Sequence, residues 1–120
     1  MTDSSGFDKQ RLAALLGMGG AEFLVEIITL FLETGTEKIE AIKEAISRAD
    51  MNKLEFQAHA LKSSAGNIGA VRLSELATEL EHIEMDSPVE SIRSAVSRIE
   101  LEFSSVSELL EQELEDPEHA

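Results

Sequence analysis

His59 and Lys62 stand one helical turn apart in the stretch "HALKSSAGNIGA", residues 59–70, where small side chains are frequent. Neutral imidazole is a good nucleophile near pH 7, and an exposed ring can accept a phosphoryl group on a nitrogen. A cation one turn away offsets the negative charge that arrives. Phosphoryl transfer asks for positioning and charge neutralisation more than for bond-making by side chains. Ser63 and Gly66 follow His59 at i+4 and i+7 and so share its helix flank, where their small size leaves clearance for a second protein to approach in line.

Whether that chemistry is available depends on where the ring points. With the mean direction of Leu54, Ala58, Leu61 and Ala65 set at zero on a 100° wheel, Lys62 lies about 65° away, Gly66 about 105°, His59 about 125° and Ser63 about 165°. The histidine therefore belongs to the outer flank, with Glu55, Lys62, Ser63 and Gly66 beside it. Periodicity establishes exposure and not purpose, since a merely solvated histidine and lysine give the same wheel. Lys62 has Glu55, or a glutamate on a neighbouring helix, as an alternative partner, a surface pairing worth roughly 0–1 kcal/mol. Phe56 falls about 165° from the core direction. A large apolar group there calls for a cover or a partner; cover by the first helix or the end of the second is favoured, and a docking contact is the alternative.

The elements that must hold this flank are legible as helices. "FDKQRLAALL" reads as a short amphipathic helix over about 7–16, stopped by "GMGG" at 17–20. A long helical pattern follows over about 21–49, with Phe23, Ile27, Leu30, Phe31, Ile39, Ile42 and Ile46 at spacings of three and four. Gly35 inside it predicts a kink or a close helix crossing. Asp50 is the expected N-cap of the helix over 51–66 that carries His59. "GNIG" predicts a turn, then a helix over 71–85 with Leu73, Leu76, Ala77, Leu80 and Ile83 on one side. "DSP" breaks it, and Ser87-Pro88-Val89-Glu90 reads as an N-cap, a first-turn proline and a capping box. The last helix carries a seam of Val89, Ile92, Val96, Ile99, Phe103, Val106 and Leu110. Short connections between these helices predict an all-α fold: an antiparallel up-down-up-down four-helix bundle with a short additional N-terminal helix. Residues 1–120 form one domain, with fraying expected over about 1–6 and 114–120.

Composition narrows the function classes. The chain has 120 residues, 42% hydrophobic, with no Trp, Tyr or Cys and two Pro. That length suits one core. The missing cysteines exclude disulfides, thiolate chemistry and cysteine zinc sites, and suit a reducing cytoplasm. A net charge of −14 opposes nucleic acid and anionic membranes. Residues 1–6 have no signal-peptide character, and "EFLVEIITLFLE", broken by Glu26 and Thr29, reads as too short and polar to span a bilayer. There is no Gly-rich nucleotide loop. Glu79 and His82 have the spacing of a di-iron ligand pair, but one copy is not a site; both read as solvated. His119 reads as a bystander in the acidic tail.

"AHALKSSAGNIGA" resembles the signature of histidine-containing phosphotransfer domains, with matches at His59, Leu61, Lys62, Ser64, Gly69 and Ala70 and an aliphatic Ile68. The flanks agree at Phe31, in "LFLE", and at Asp50. The likeness is sharp over about 50–72 and elsewhere rests on helix pattern. It implies that His59 is phosphorylated, that Lys62 interacts with the phosphoryl group, and that phosphate passes between aspartates of response-regulator receiver domains. A hybrid sensor histidine kinase is a further implied partner. It implies no cofactor or metal on this chain, with Mg²⁺ on the receiver. Phe56, Ser63 and Gly66 are the residues expected to meet the receiver. Two positions depart from the family: Ser63 stands where a glycine follows the lysine, and Glu81 stands where the next helix often offers an amide. A carboxylate pointing inwards would repel phosphate, so Glu81 is assigned no role. The function expected is a cytoplasmic, monomeric phosphorelay intermediate, either a small carrier or a module of a hybrid kinase. A helical adaptor that binds partners without being phosphorylated is the alternative.

Overall fold

The computed structural model describes residues 6–84 and 86–119. The chain runs as α1 (Lys9–Ser47), α2 (Met51–Ile68), α3 (Val71–Glu81) and α4 (Val89–Glu115), ending in a 3₁₀ turn, Pro117–His119. α1 is two helices joined at Gly20, whose φ of 86° and ψ of −175° break the helix. The shorter arm, 9–19, is the additional N-terminal helix expected from the sequence, and 21–47 is the first long helix of the bundle. α1 packs on α2, α2 on α3, α3 on α4 and α4 back on α1. With short links between antiparallel neighbours, that closed ring is an up-down-up-down bundle.

The core follows the apolar stripes, with shifts of phase. α1 buries Leu24, Ile28, Phe31, Gly35, Ile39, Ile42 and Ala45, one residue round from the expected Phe23 and Ile27, which are only partly buried. Leu30 is exposed, because Phe31 takes the inward position of that turn. α2 buries the expected Leu54, Ala58, Leu61 and Ala65, and Ile68 beyond them. On α4, Val89 is exposed and the buried stripe starts at Ala95 and Val96. α1 is long and apolar enough by length and composition to cross a membrane, more than the reading of "EFLVEIITLFLE" allows. Its inward residues form one wall of this core.

The turns around α2 set its register. At 48–50 the Asp50 N–H donates to the Ala45 carbonyl and the Ala49 N–H to that of Ile46, a Schellman closure that puts Ala49 at φ 54°. Asp50 then caps α2 by accepting from the Lys53 N–H, as expected. α2 runs two residues past its predicted end. It stops at Gly69, whose φ of 101° closes a second Schellman turn through Ala70 N–H to Ala65 O. The N-terminal arm docks on that turn. The Asp8 N–H donates to Gly69 O, the Arg11 Nε–H to Asn67 O and the Arg72 N–H to Gly6 O, with Phe7, Leu12 and Leu15 buried beneath.

Two expectations at the other end change. α3 ends at Glu81 rather than 85, and the chain turns at Glu84–Ser87. The capping box does not form: Pro88 is the N-cap of α4 and no side chain caps it. Ser87 instead spends its hydroxyl accepting from the Glu84 N–H, while its own N–H donates to Glu84 O. α4 continues to Glu115, Leu114 packs against the core, and the 3₁₀ turn lies on α1. Gly6 is likewise buried. Residues 1–5 and 120 of the expected frayed ends lie outside the described residues.

Candidate functional site

His59 sits on the outer wall of α2 with its side chain 61% exposed, where the wheel puts it. Its Nδ1 lies 2.9 Å from Oε2 of Glu81, the last residue of α3. The short turn at Gly69 makes this possible by folding α3 back along α2, so that residues 22 apart in sequence meet. Lys62 stands 3.7 Å from the other oxygen, Oε1. The glutamate alternative to Glu55 is thus the one the fold supplies.

The electrostatics follow from this trio. The hydrogen bond from His59 holds the Glu81 carboxyl below the ordinary carboxylate value. Partial burial pulls the other way, and the charges of His59, Lys62 and His82 add to the lowering. Glu81 is therefore ionised at neutral pH. An ionised carboxylate only accepts hydrogen bonds, so the hydrogen between them belongs to Nδ1 and the lone pair of the ring is left on Nε2. Glu81, to which the sequence assigns no role, does point its carboxylate at the histidine, where it holds Nδ1 and leaves Nε2 without it. Charge type was a legible signal at Glu81; its contact with the ring was not.

The signature sorts by role once folded. Leu61, Ile68 and Ala70 are core and Gly69 makes the turn. Ser64 faces α1 and accepts from Lys38 Nζ at 3.2 Å. Ser63 and Gly66 are exposed on the His59 side. A Cβ at Gly66 would meet only Ser74 Oγ, at 3.7 Å, so the fold does not require glycine there and the clearance faces outward. Ser74 in turn donates to the Lys62 carbonyl, tying α3 to the turn of α2 that carries His59 and Lys62.

Phe56 is 69% exposed, which corrects the favoured reading of a covered ring. The N-terminal arm docks at the Gly69 end of α2, thirteen residues or about 20 Å along the helix, and no element among the described residues covers Phe56. Glu79 pairs with Arg98 at 3.6 Å, and the His82 Nδ1 bonds the Thr78 carbonyl. The di-iron spacing is thus used for local contacts, and no three potential ligands converge among the described residues. For His119 only the backbone is described, in the closing turn.

The bundle thus carries His59 proud of its wall, with a carboxylate behind the ring and a cation beside it. A family model described as the Hpt domain matches residues 26–117, and the chain belongs to that family, whose members have a phosphotransfer role in two-component signalling. The fold is similar to the crystal structure of histidine-containing phosphotransfer protein B from Pseudomonas aeruginosa PAO1. The TM-score is 0.86 and the identity 24%, covering 94% of this chain and 97% of that one. No curated protein sequence matches the chain.

Proposed function

We propose that His59 is the phosphorylated residue of a phosphorelay, accepting on Nε2 from the phospho-aspartate of one receiver domain and donating to the aspartate of another. The observation that supports this best is the exposed ring held through Nδ1 at 2.9 Å. The Nε2 lone pair attacks phosphorus, the N–P bond forms, and the electron pair of the breaking O–P bond stays with the aspartate carboxylate. Lys62 turns from Glu81 to the phosphoryl oxygens. The receiver supplies Mg²⁺ and the remaining groups; this chain binds no cofactor. Phe56, Ser63 and Gly66 form the landing ground on α2. Beside it runs an apolar groove of about 360 Å³ between the N-terminal arm, α1 and α2, edged by the exposed Met18 and Leu30. The same reading makes the protein a cytoplasmic monomer, with a hybrid kinase among its donors.

The test is incubation with a phosphorylated receiver. Wild type should gain acid-labile, base-stable phosphate, and His59→Gln should gain none while keeping its helicity and melting temperature. Undiminished label in that variant overturns the assignment. Binding without any label on wild type would leave the adaptor reading in its place.

A further inference from the structure

We infer that the hydroxyl of Ser63 donates a hydrogen bond to the phosphoryl group once it is on His59, and so raises the share of phosphate that this chain holds at equilibrium with a receiver. This rests on phosphorylation of His59, as proposed above. It gives Ser63 a role beyond leaving clearance.

Ser63 follows His59 by four residues on α2, and such pairs share a face with Cβ atoms about 5–6 Å apart. Around the helix axis, Lys62 stands about 60° to one side of the histidine and Ser63 about 40° to the other. Helical side chains lean toward the N-terminus, so both lean back over the turn that carries the ring. Lys62 is on the α3 side, 3.7 Å from Glu81. Ser63 therefore flanks the ring on the side away from α3, and it is exposed there. A group carried on the outward edge of the ring lies between a cation and a hydroxyl.

That hydroxyl is uncommitted. Thr34, Thr36, Thr78 and Ser107 each donate to the carbonyl four residues earlier. For Ser63 that carbonyl belongs to His59, and the bond is not made; the Ser63 hydroxyl has no hydrogen-bond partner among the described residues. Ser64, next in sequence, faces the other way and is held by Lys38 Nζ at 3.2 Å. Of the two serines after Lys62, Ser63 is the one open to an arriving anion. Before transfer its hydroxyl meets water. After transfer it meets a charged oxygen, and a hydrogen bond to an ionised acceptor is shorter and stronger than one between neutral groups. Clearance and hydrogen bonding have different consequences. Room for the receiver speeds transfer in both directions alike and leaves the equilibrium where it was. A bond made only in the phosphorylated form shifts the equilibrium toward that form.

The experiment uses the intact chain phosphorylated with potassium phosphoramidate, with the labelled residue located by peptide mapping, and mixed with a receiver domain and Mg²⁺. The ratio of phosphate on His59 to phosphate on the receiver, and the rate of approach to it, are read before appreciable hydrolysis. Wild type is compared with Ser63→Ala, Ser63→Gly and Ser64→Ala. The two Ser63 variants should lower the ratio by similar factors of roughly three to ten, the worth of one hydrogen bond. Ser64→Ala should leave it within about twofold. An unchanged ratio in Ser63→Ala, with the rate alone altered, overturns the proposal and leaves clearance as the role of that position. An equal fall in Ser64→Ala overturns it too. Ser63→Ala places a better helix former at an exposed helical site, so the answer does not depend on whether the glycine variant folds. Label absent from His59 in wild type would instead defeat the reading on which the proposal rests.

Discussion

The Lys62 ammonium stands 3.7 Å from Oε1 of Glu81, and that oxygen, although buried, has no hydrogen-bond partner among the described residues. The separation is too long for a hydrogen bond, so Lys62 is attracted to the carboxylate without being tied to it and can turn to a phosphoryl group at little cost. Lys62→Ala should slow phosphate uptake from a receiver by roughly tenfold and leave the melting temperature within about 2 °C. Rapid-quench transfer rates check this, and an unchanged rate would remove Lys62 from the reaction.

Gly35 faces the Phe103 ring where α1 crosses α4. A Cβ there would lie 2.5 Å from Cε1 of Phe103, and that ring also leans on Phe31, with centroids 5.9 Å apart. The close crossing expected at Gly35 is thus present. Gly35→Ala should destabilise by about 1–3 kcal/mol through overpacking, despite the better helix propensity of alanine. Adding Phe103→Leu should restore part of the loss, read from urea midpoints. Full additivity of the two changes would disprove the contact.

Ala49 holds φ at 54° in a Schellman turn that favours glycine. Ala49→Gly should relieve that strain and stabilise by about 1 kcal/mol, a rise in melting temperature of roughly 4 °C. A fall in melting temperature would show that the added freedom of the unfolded chain outweighs the relief.

Two glutamates give opposite pH dependence. Burial raises the Glu102 carboxyl above its ordinary value, and Arg72 pulls back only in part. A raised carboxyl contributes stability at pH below its unfolded value and loses it as pH rises through the folded one. Glu102→Gln should therefore raise the melting temperature at pH 7 and have little effect near pH 3. Glu81 is lowered, chiefly by its hydrogen bond with His59. Its contribution is present above the unfolded value and fades as pH falls through the folded one, so Glu81→Gln should destabilise at pH 7 and converge with wild type in acid. Thermal melts from pH 3 to 7 test both signs, and parallel curves for either variant would contradict its assignment.

The sequence by itself determined the helices, the bundle and the exposure of His59. Those follow from apolar periodicity and from local signals such as Asp50 at its cap, which act within a few residues along the chain. Exposure at His59 was legible because five inward positions of α2 set the phase of that helix. Where local signals competed, the outcome was less legible. Ser87 could cap a helix or close a turn with Glu84, and Phe23 or Leu24 could lead the inward face of α1. What lies beyond one helix was decided only by the tertiary structure. The N-terminal arm docks on the Gly69 turn and so leaves Phe56 bare, and α3 folds back at the angle that brings Glu81 to the ring. A carboxylate beside the proposed phosphate acceptor looks repulsive when only its charge is known. It becomes supportive when geometry gives it Nδ1 and leaves Nε2 to the incoming group, because the sign of its effect depends on which ring nitrogen it faces.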